Sequence, residues 1–231
     1  MKIALICIAT GEQYWPFAKT MIRSAKKFFY PEGIDVFLFS DCFIDSYPAD
    51  IIKQMVIIEP KGFPKETLFR YHTMLILEKE LETYDQIFWV DADMEFVAPV
   101  GNIYSQGITA TLHPGYPEGG PGVPESTRPQ STAYLVGNKY YFCGGFNGGN
   151  AQAYLKMART LRDNIDKDLE WGCIAIHNDE SHLNHYLHYN PPAKILTPAY
   201  CYPEPTAGPG YDSVRAKYQP ILVAREKGFQ K

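Results

Sequence analysis

Apolar and polar positions change period repeatedly along the first third of the chain. Residues 2–9 form an apolar run that Thr10-Gly11 closes, the pattern of a buried strand. Phe17, Met21, Ile22, Ala25, Phe28 and Phe29 then fall at helical spacing, which predicts a helix over residues 15–29, broken by Pro31 and Gly33. Strands are predicted at 35–40 and 54–58, with a short helix around 49–53 between them. A long helix is predicted over 64–81, with Pro64 in its first turn, and a buried strand over 86–90. Alternation of strand and helix predicts an α/β fold built on a doubly wound sheet.

Periodicity fails over residues 113–131, which hold four Gly and five Pro in nineteen positions. An irregular stretch of that length inside a compact domain is usually functional or mobile. Beyond it the pattern predicts a short strand at 140–142, a Gly-rich turn at 144–149, and helices at 151–165 and 179–187. The chain is rich in Pro and Gly again from Pro198 to Tyr211. It ends in a polar tail, 212–231, that carries Arg225, Lys227 and Lys231 and is expected to be mobile without ligand. With no internal repeat and no composition break, one domain of 231 residues is expected.

Composition narrows the classes. Hydrophobic residues make up 45% and charged residues 21%, which excludes disorder and collagen-like repeats. Lys plus Arg number 22 against 26 Asp plus Glu, and no basic patch is visible, so nucleic acid is not an expected partner. The aromatic share is 14%, a supply of flat apolar faces suited to cores and equally to base and sugar rings. Five widely spaced Cys with no CxxC pair argue against a disulfide framework or a zinc ribbon and for a reducing compartment. The apolar run at residues 3–9 is too short for a signal segment or a membrane span, so the expectation is a soluble, cytoplasmic protein.

Asp91-Ala92-Asp93 carries the most chemistry. It leaves the end of the buried strand 86–90, where open α/β sheets bind ligands. Residues two apart on extended backbone point the same way, so two carboxylates are presented together, either as solvated acids or as oxygen ligands for a hard divalent cation. Gly144-Gly145-Phe146-Asn147-Gly148-Gly149 lacks the Lys-Ser or Lys-Thr of a phosphate loop. Four Gly in six residues serve close backbone approach, to a ligand or in a tight turn. Asp179 and Glu180 open a helix, as first-turn acids or as carboxylates beside a reacting centre. His182, His185 and His188 drift round that helix and are expected to pack or face solvent, with no metal-binding HExxH frame. His113 sits in His-Pro-Gly at a strand exit, where it hydrogen-bonds either a sugar hydroxyl or its own loop.

These motifs occur together in a recognisable order. The chain resembles glycosyltransferase family 6, which includes the blood-group A and B transferases and the α1,3-galactosyltransferases. The likeness runs through 88–96 around Asp91-Ala92-Asp93, 111–116 around His113-Pro114-Gly115 and 128–131 from Arg128-Pro129. It continues through 140–149 with Tyr140-Tyr141 and the Gly-rich run, 179–184 from Asp179-Glu180, and 196–200 from Leu196-Thr197-Pro198.

The resemblance implies a single-domain GT-A fold, a UDP-sugar donor, a glycan acceptor and retention at the anomeric carbon. It implies that Asp91 and Asp93 hold Mn²⁺ (or Mg²⁺) against the diphosphate and that Arg70 and Asp179 contact the donor. Glu180 takes the place of the catalytic carboxylate, and His113 lies on the acceptor side. Lys227 matches a C-terminal lysine that closes over the diphosphate. Cys143, Gly144 and Gly145 match the run beside the C2 substituent of the sugar, where small residues imply N-acetylgalactosamine over galactose. Two departures touch the acceptor side: His177-Asn178 stands before the acid pair where the family has Trp-His, and Pro124-Glu125-Ser126-Thr127 stands before Arg128 where it has Thr-Tyr-Glu-Arg. The expectation is a metal-dependent hexosyltransferase forming an α1,3 linkage to a galactose-type acceptor. The rival readings are a UDP-sugar hydrolase and a carbohydrate-binding protein with little turnover.

Overall fold

A computed structural model describes residues 1–29, 33–42 and 51–228. Strand β1 (Ile3–Ala9) is buried and is followed by helix α1 (Trp15–Phe28), whose Ala18, Met21, Ile22 and Ala25 face the core. Strands β2 (Asp35–Ser40) and β3 (Ile52–Ile57) follow, the latter beginning two residues earlier than its sequence pattern suggests. Pro31, Lys231 and the start of the helix expected around 49–53 lie outside the described residues.

The long helix expected over 64–81 is three short ones: α2 (Lys65–Leu68), α3 (Arg70–Leu75) and α4 (Glu78–Leu81). The chain leaves helical geometry at Phe69 (ψ 13°) and Leu77 (ψ 19°). In α3 the buried residues are Arg70, Tyr71, Thr73 and Met74. Hydrophobic period does not register such breaks, because apolar residues stay near the same face on either side.

Strand β4 (Gln86–Val90) is buried throughout, and β5 (Met94–Phe96) starts immediately after the acidic pair. Strand β6 (Ile108–Leu112) precedes the Pro/Gly-rich stretch. Residues 142–150 are then one continuous strand, β7 (Phe142–Asn150), and not a short strand followed by a turn. The glycines serve close packing of strands. A Cβ on Gly148 would lie 2.3 Å from the Phe88 ring and 2.4 Å from the Ile87 carbonyl, and one on Gly149 (φ 135°) would lie 2.0 Å from the Gly107 carbonyl.

Helix α5 (Ala151–Glu170) is capped by Asn150, whose side chain accepts from the Ala153 amide at 3.3 Å. It runs five residues past its expected end at 165. Near its C-terminus buried Asp168 accepts hydrogen bonds from Ser131 and from the Thr132 amide. Helix α6 (Asn178–Tyr189) contains His182, His185 and His188, of which only His182 is buried. The chain closes with β8 (Lys194–Leu196), β9 (Tyr202–Pro203), α7 (Asp212–Lys217) and β10 (Leu222–Ala224).

The main sheet has seven strands in the order β3-β2-β1-β4-β7-β6-β8. Strands β3, β2, β1 and β4 are parallel, and β7 is antiparallel to both β4 and β6. One core layer lies between this sheet and α1, the other between it and helices α3, α5 and α6. A second sheet, β5-β10-β9, pairs the C-terminal strand antiparallel to β5 in the register Leu222↔Phe96 and Ala224↔Met94. Part of the segment read as a tail is thus a strand of the fold. Among the described residues no helix is long and apolar enough to cross a membrane.

Position follows from topology. The chain moves outward from β1 through β2 to β3 and then returns to the other side of β1 as β4. Parallel strands on either side of such a switch diverge at their carboxyl ends and leave a crevice. Thr10 and Asp91 sit on its two lips. The packing account predicts that Gly148→Ala destabilises the protein by about 2–3 kcal/mol through overpacking. Gly210→Ala, whose Cβ meets nothing within 4 Å, should stay within about 0.5 kcal/mol of the parent. Urea unfolding of both decides it, and equal midpoints would sink the explanation.

Candidate active site

The crevice is a cavity of about 300 Å³. Thr10, Gly11, Gln13 and Tyr14 line it from the end of β1, and Asp91, Ala92 and Asp93 from the end of β4. Phe63, Glu66 and Arg70 close it from the short helices, and Lys227 from the C-terminal segment.

Arg70 is the hub. Its side chain is only 4% exposed, and Nε lies 2.7 Å from Asp179 Oδ2 while Nη1 lies 3.3 Å from Asp91 Oδ1. Nη1 also donates to the Gly144 carbonyl at 2.8 Å, and the guanidinium lies 4.8 Å from the centre of the Trp89 ring. One cation thereby ties α3 to α6, to the end of β4 and to β7. Burial disfavours its charge, but Asp179 and Asp91 outweigh this and hold its pKa above the ordinary arginine value. Burial pushes the Asp179 carboxyl up to about 7 against the pull of Arg70.

Asp91 is oriented from its own strand: Trp89 Nε1 donates to Asp91 Oδ1 at 2.8 Å, since residues two apart share a side. Asp93 meets a different cation. Lys227 Nζ lies 2.8 Å from Asp93 Oδ2, and the two groups are 21% and 15% exposed. The Asp93 carboxyl is held above its usual range by burial and then by the negative charge of Asp91, with Lys227 acting the other way.

Glu180 stands in the first turn of α6, and its Oε2 accepts the Gly144 amide at 2.8 Å. The Tyr141 hydroxyl is buried beside it and is kept protonated by burial, then by the charge of Glu180 and a hydrogen bond to it. His113 packs its ring 5.6 Å from that of Tyr141. Its Nδ1 accepts from the Gly115 amide at 3.0 Å, which places the proton on Nε2. Burial lowers the His113 pKa and the Glu180 charge only partly offsets it, so the imidazole is neutral at pH 7. His113 therefore satisfies its own loop through one nitrogen and keeps the other as a donor.

The structure brings Arg70, Asp91, Asp179, Glu180, Gly144 and Gly145 together and sets Asp93 with Lys227 on the adjoining lip. A Cβ on Gly144 would lie 3.5 Å from Glu180 Oε2, and one on Gly145 would lie 3.5 Å from Asp91 Oδ2. Cys143 is placed otherwise: its side chain is 3% exposed and lies in the core with that of Cys201. Sequence reasoning missed several supports. Trp89 was legible from its spacing to Asp91. Asn147, which donates to the Gly144 carbonyl at 3.0 Å and accepts from Tyr154 at 2.5 Å, carried no signal beyond being polar within an apolar strand. Glu125 was a second omission. Fully buried, it accepts from the amides of Thr127 (3.0 Å), Arg128 (3.0 Å) and Ile176 (2.6 Å), and so gives the irregular loop a fixed centre.

Comparison with known proteins agrees with the motif order. The model of glycosyltransferase family 6 matches residues 1–218. Histo-blood group ABO system transferase 2 of Rattus norvegicus is 25% identical over 225 residues, covering 93% of this chain and 67% of that one. The O-antigen biosynthesis glycosyltransferase WbnI of Escherichia coli is 27% identical over 209 residues, covering 88% and 89%. Globoside alpha-1,3-N-acetylgalactosaminyltransferase 1 of Mus musculus is 26% identical over 217 residues, covering 88% and 62%. The chain thus spans about two thirds of these mammalian relatives and most of the bacterial one. Strand β10 and Lys227 lie beyond the residues that the family model matches.

The buried hub gives a stability prediction. Arg70→Met fills similar volume but leaves Asp179 and Asp91 without their shared counter-charge. Breaking a buried ion pair from one side costs about 3–5 kcal/mol. Unfolding at pH 7 should show a loss of that order, partly recovered in Arg70→Met/Asp179→Asn. A loss below about 1 kcal/mol would mean that Arg70 is not what holds these elements.

Proposed function

The chain belongs to glycosyltransferase family 6, and we propose that it transfers N-acetylgalactosamine, or galactose, from a UDP-sugar in α1,3 linkage to a galactose-type acceptor with retention of configuration. The observation that carries the reading is that Arg70 and Gly144 tie Asp179 and Glu180 to Asp91, at the wall of the cavity that the acidic pair lines. A carbohydrate-binding protein has no need of that arrangement of charge.

The charge balance supports a divalent cation. At the cavity the carboxylates of Asp91, Asp93 and Glu66 face two protein cations, Arg70 and Lys227, and Arg70 is shared with Asp179. The mutual repulsion of Asp91 and Asp93 is relieved by an ion held between them. Asp91 and Asp93 are the residues that would hold it, and Mn²⁺ or Mg²⁺ would supply positive charge for the diphosphate of the donor. Arg70 orients Asp91 and Asp179. Gly144 commits one oxygen of Glu180 to the backbone and so fixes the carboxylate beside the reacting sugar. Its negative charge then stabilises the positive charge that develops at the anomeric carbon. His113 offers its Nε2 proton to an acceptor hydroxyl. Five free cysteines support a reducing, cytoplasmic site of action.

UDP release in the presence and absence of galactose-terminated acceptors tests the reading. Release should require the acceptor and Mn²⁺, and Asp93→Asn or excess EDTA should suppress it. Glu180→Gln should lower kcat roughly a hundredfold or more, as loss of a group that acts on the transition state does, while UDP affinity changes little. Acceptor-independent release would favour the hydrolase. Full activity in EDTA would remove the metal.

Donor choice follows from the two glycines. A single carbon added at either one already meets Glu180 or Asp91 at 3.5 Å; the resemblance ties small residues in this run to N-acetylgalactosamine, and the name of the mouse relative records its transfer. UDP-N-acetylgalactosamine is therefore the expected donor. A methyl at Gly145 makes ordinary contacts, 3.5 Å to Asp91 Oδ2 and 3.8 Å to Met94 Sδ, so Gly145→Ala should fold normally. It should shift selectivity toward UDP-galactose by about 1–3 kcal/mol. Comparing kcat/KM for the two donors decides this. A parent enzyme that prefers UDP-galactose tenfold would assign the choice to another wall.

A further inference from the structure

Lys227 reaches the acidic pair by a route that the fold dictates. Strand β10 pairs with β5 directly after Asp93, and one residue past that strand the Arg225 amide donates to the Asp93 carbonyl at 2.9 Å. The Arg225 side chain is clamped by Glu95, through Nε at 2.7 Å, and by Glu204, through Nη1 at 2.7 Å. Lys227 follows two residues further on. There Lys227 Nζ meets Asp93 Oδ2 at 2.8 Å, with Nζ 5.5 Å from the centre of the Tyr14 ring. The ammonium thus occupies the carboxylate that the proposed function assigns to a divalent cation.

We propose that Lys227 is an internal counter-cation of the acidic pair, which contends with a divalent cation for Asp93 and is released to an anionic ligand when that cation binds. The inference rests on the metal reading above. A small divalent ion about 2.0–2.2 Å from an oxygen of Asp93 would stand within a few ångströms of the ammonium that lies 2.8 Å from Oδ2, and the two cations would repel. Binding of the ion therefore breaks the Lys227–Asp93 pair and leaves a lysine at the cavity wall with no counter-charge. A diphosphate entering the same cavity restores one. Metal and nucleotide are then coupled through this side chain, and the coupling is reciprocal.

The test is Mn²⁺ binding to the full chain, read from the electron paramagnetic resonance of free Mn²⁺, with and without UDP. Without nucleotide, Lys227→Met should bind Mn²⁺ roughly five- to tenfold more tightly than the parent, because no cation has to be displaced from a partly exposed pair. Saturating UDP should tighten Mn²⁺ binding by a smaller factor in Lys227→Met than in the parent. Lys227→Gln should behave in the same way, and the difference between lysine and methionine should vanish in an Asp93→Asn background. Unchanged or weaker Mn²⁺ binding in both neutral variants would overturn the competition and leave the metal reading standing. Failure of every protein to bind Mn²⁺, with UDP bound and without it, would remove both.

Discussion

A guanidinium buried in the interior is tolerable only if its surroundings are built for it, and Arg70 sets that condition for the whole site. Its cost of burial is offset by Asp179 and Asp91 and by the Gly144 carbonyl, which come from three elements far apart in sequence. The dependence runs in both directions. Asp179 is 2% exposed and would not be an acceptable charge there without Arg70. Arg70 is the first residue of α3, directly after the departure from helical geometry at Phe69.

Strands and their order were legible from apolar runs because a buried parallel strand has few other ways to read. The acidic pair was legible for the same reason, standing where such a run ends. What escaped was whatever depends on the distance between backbones. A run of glycines looks like a turn to any rule based on propensity, yet here it lets β7 press against Phe88 and the chain near Gly107. Propensity measures freedom of a residue alone, and this strand is chosen by its neighbours. The break at Phe69 was hidden in a similar way, since the apolar period continues across it. Glu125 and Asp168 were invisible because a buried carboxylate that gathers amides carries no local pattern at all.

The C-terminal segment shows a different limit. Its Lys and Arg content suggested a solvated tail, and composition could go no further. Pairing between β10 and β5 is non-local, with more than a hundred residues intervening, and three-residue strands give almost no periodic signal. Yet this pairing fixes which cation meets Asp93. Removing the segment would take the central strand out of the second sheet as well as a charge from the cavity, so its contributions to stability and to charge are mechanically one.

Glu180 owes its placement to a near-coincidence of two repeats. Along α6, residues 180 and 184 are one turn apart, about 6.0 Å of rise. Along β7, residues 142 and 144 are about 6.8 Å apart. The Asn184 amide brackets Phe142, accepting its N–H at 2.8 Å and donating to its carbonyl at 2.9 Å, while Glu180 takes the Gly144 amide at 2.8 Å. Helix and strand therefore run side by side in opposite directions, locked at two points whose spacings agree within about 1 Å. A slip of one residue along the strand would take the Gly144 amide away from Glu180 and break the paired contacts of Asn184 with Phe142. Asn178, with φ 48°, begins the helix at the place this register needs, a left-handed position that asparagine tolerates better than most residues. The first turn then delivers two acids to the positive end of the helix, which favours them. The Glu180 carboxylate is positioned by backbone geometry, and its own side chain has little left to choose.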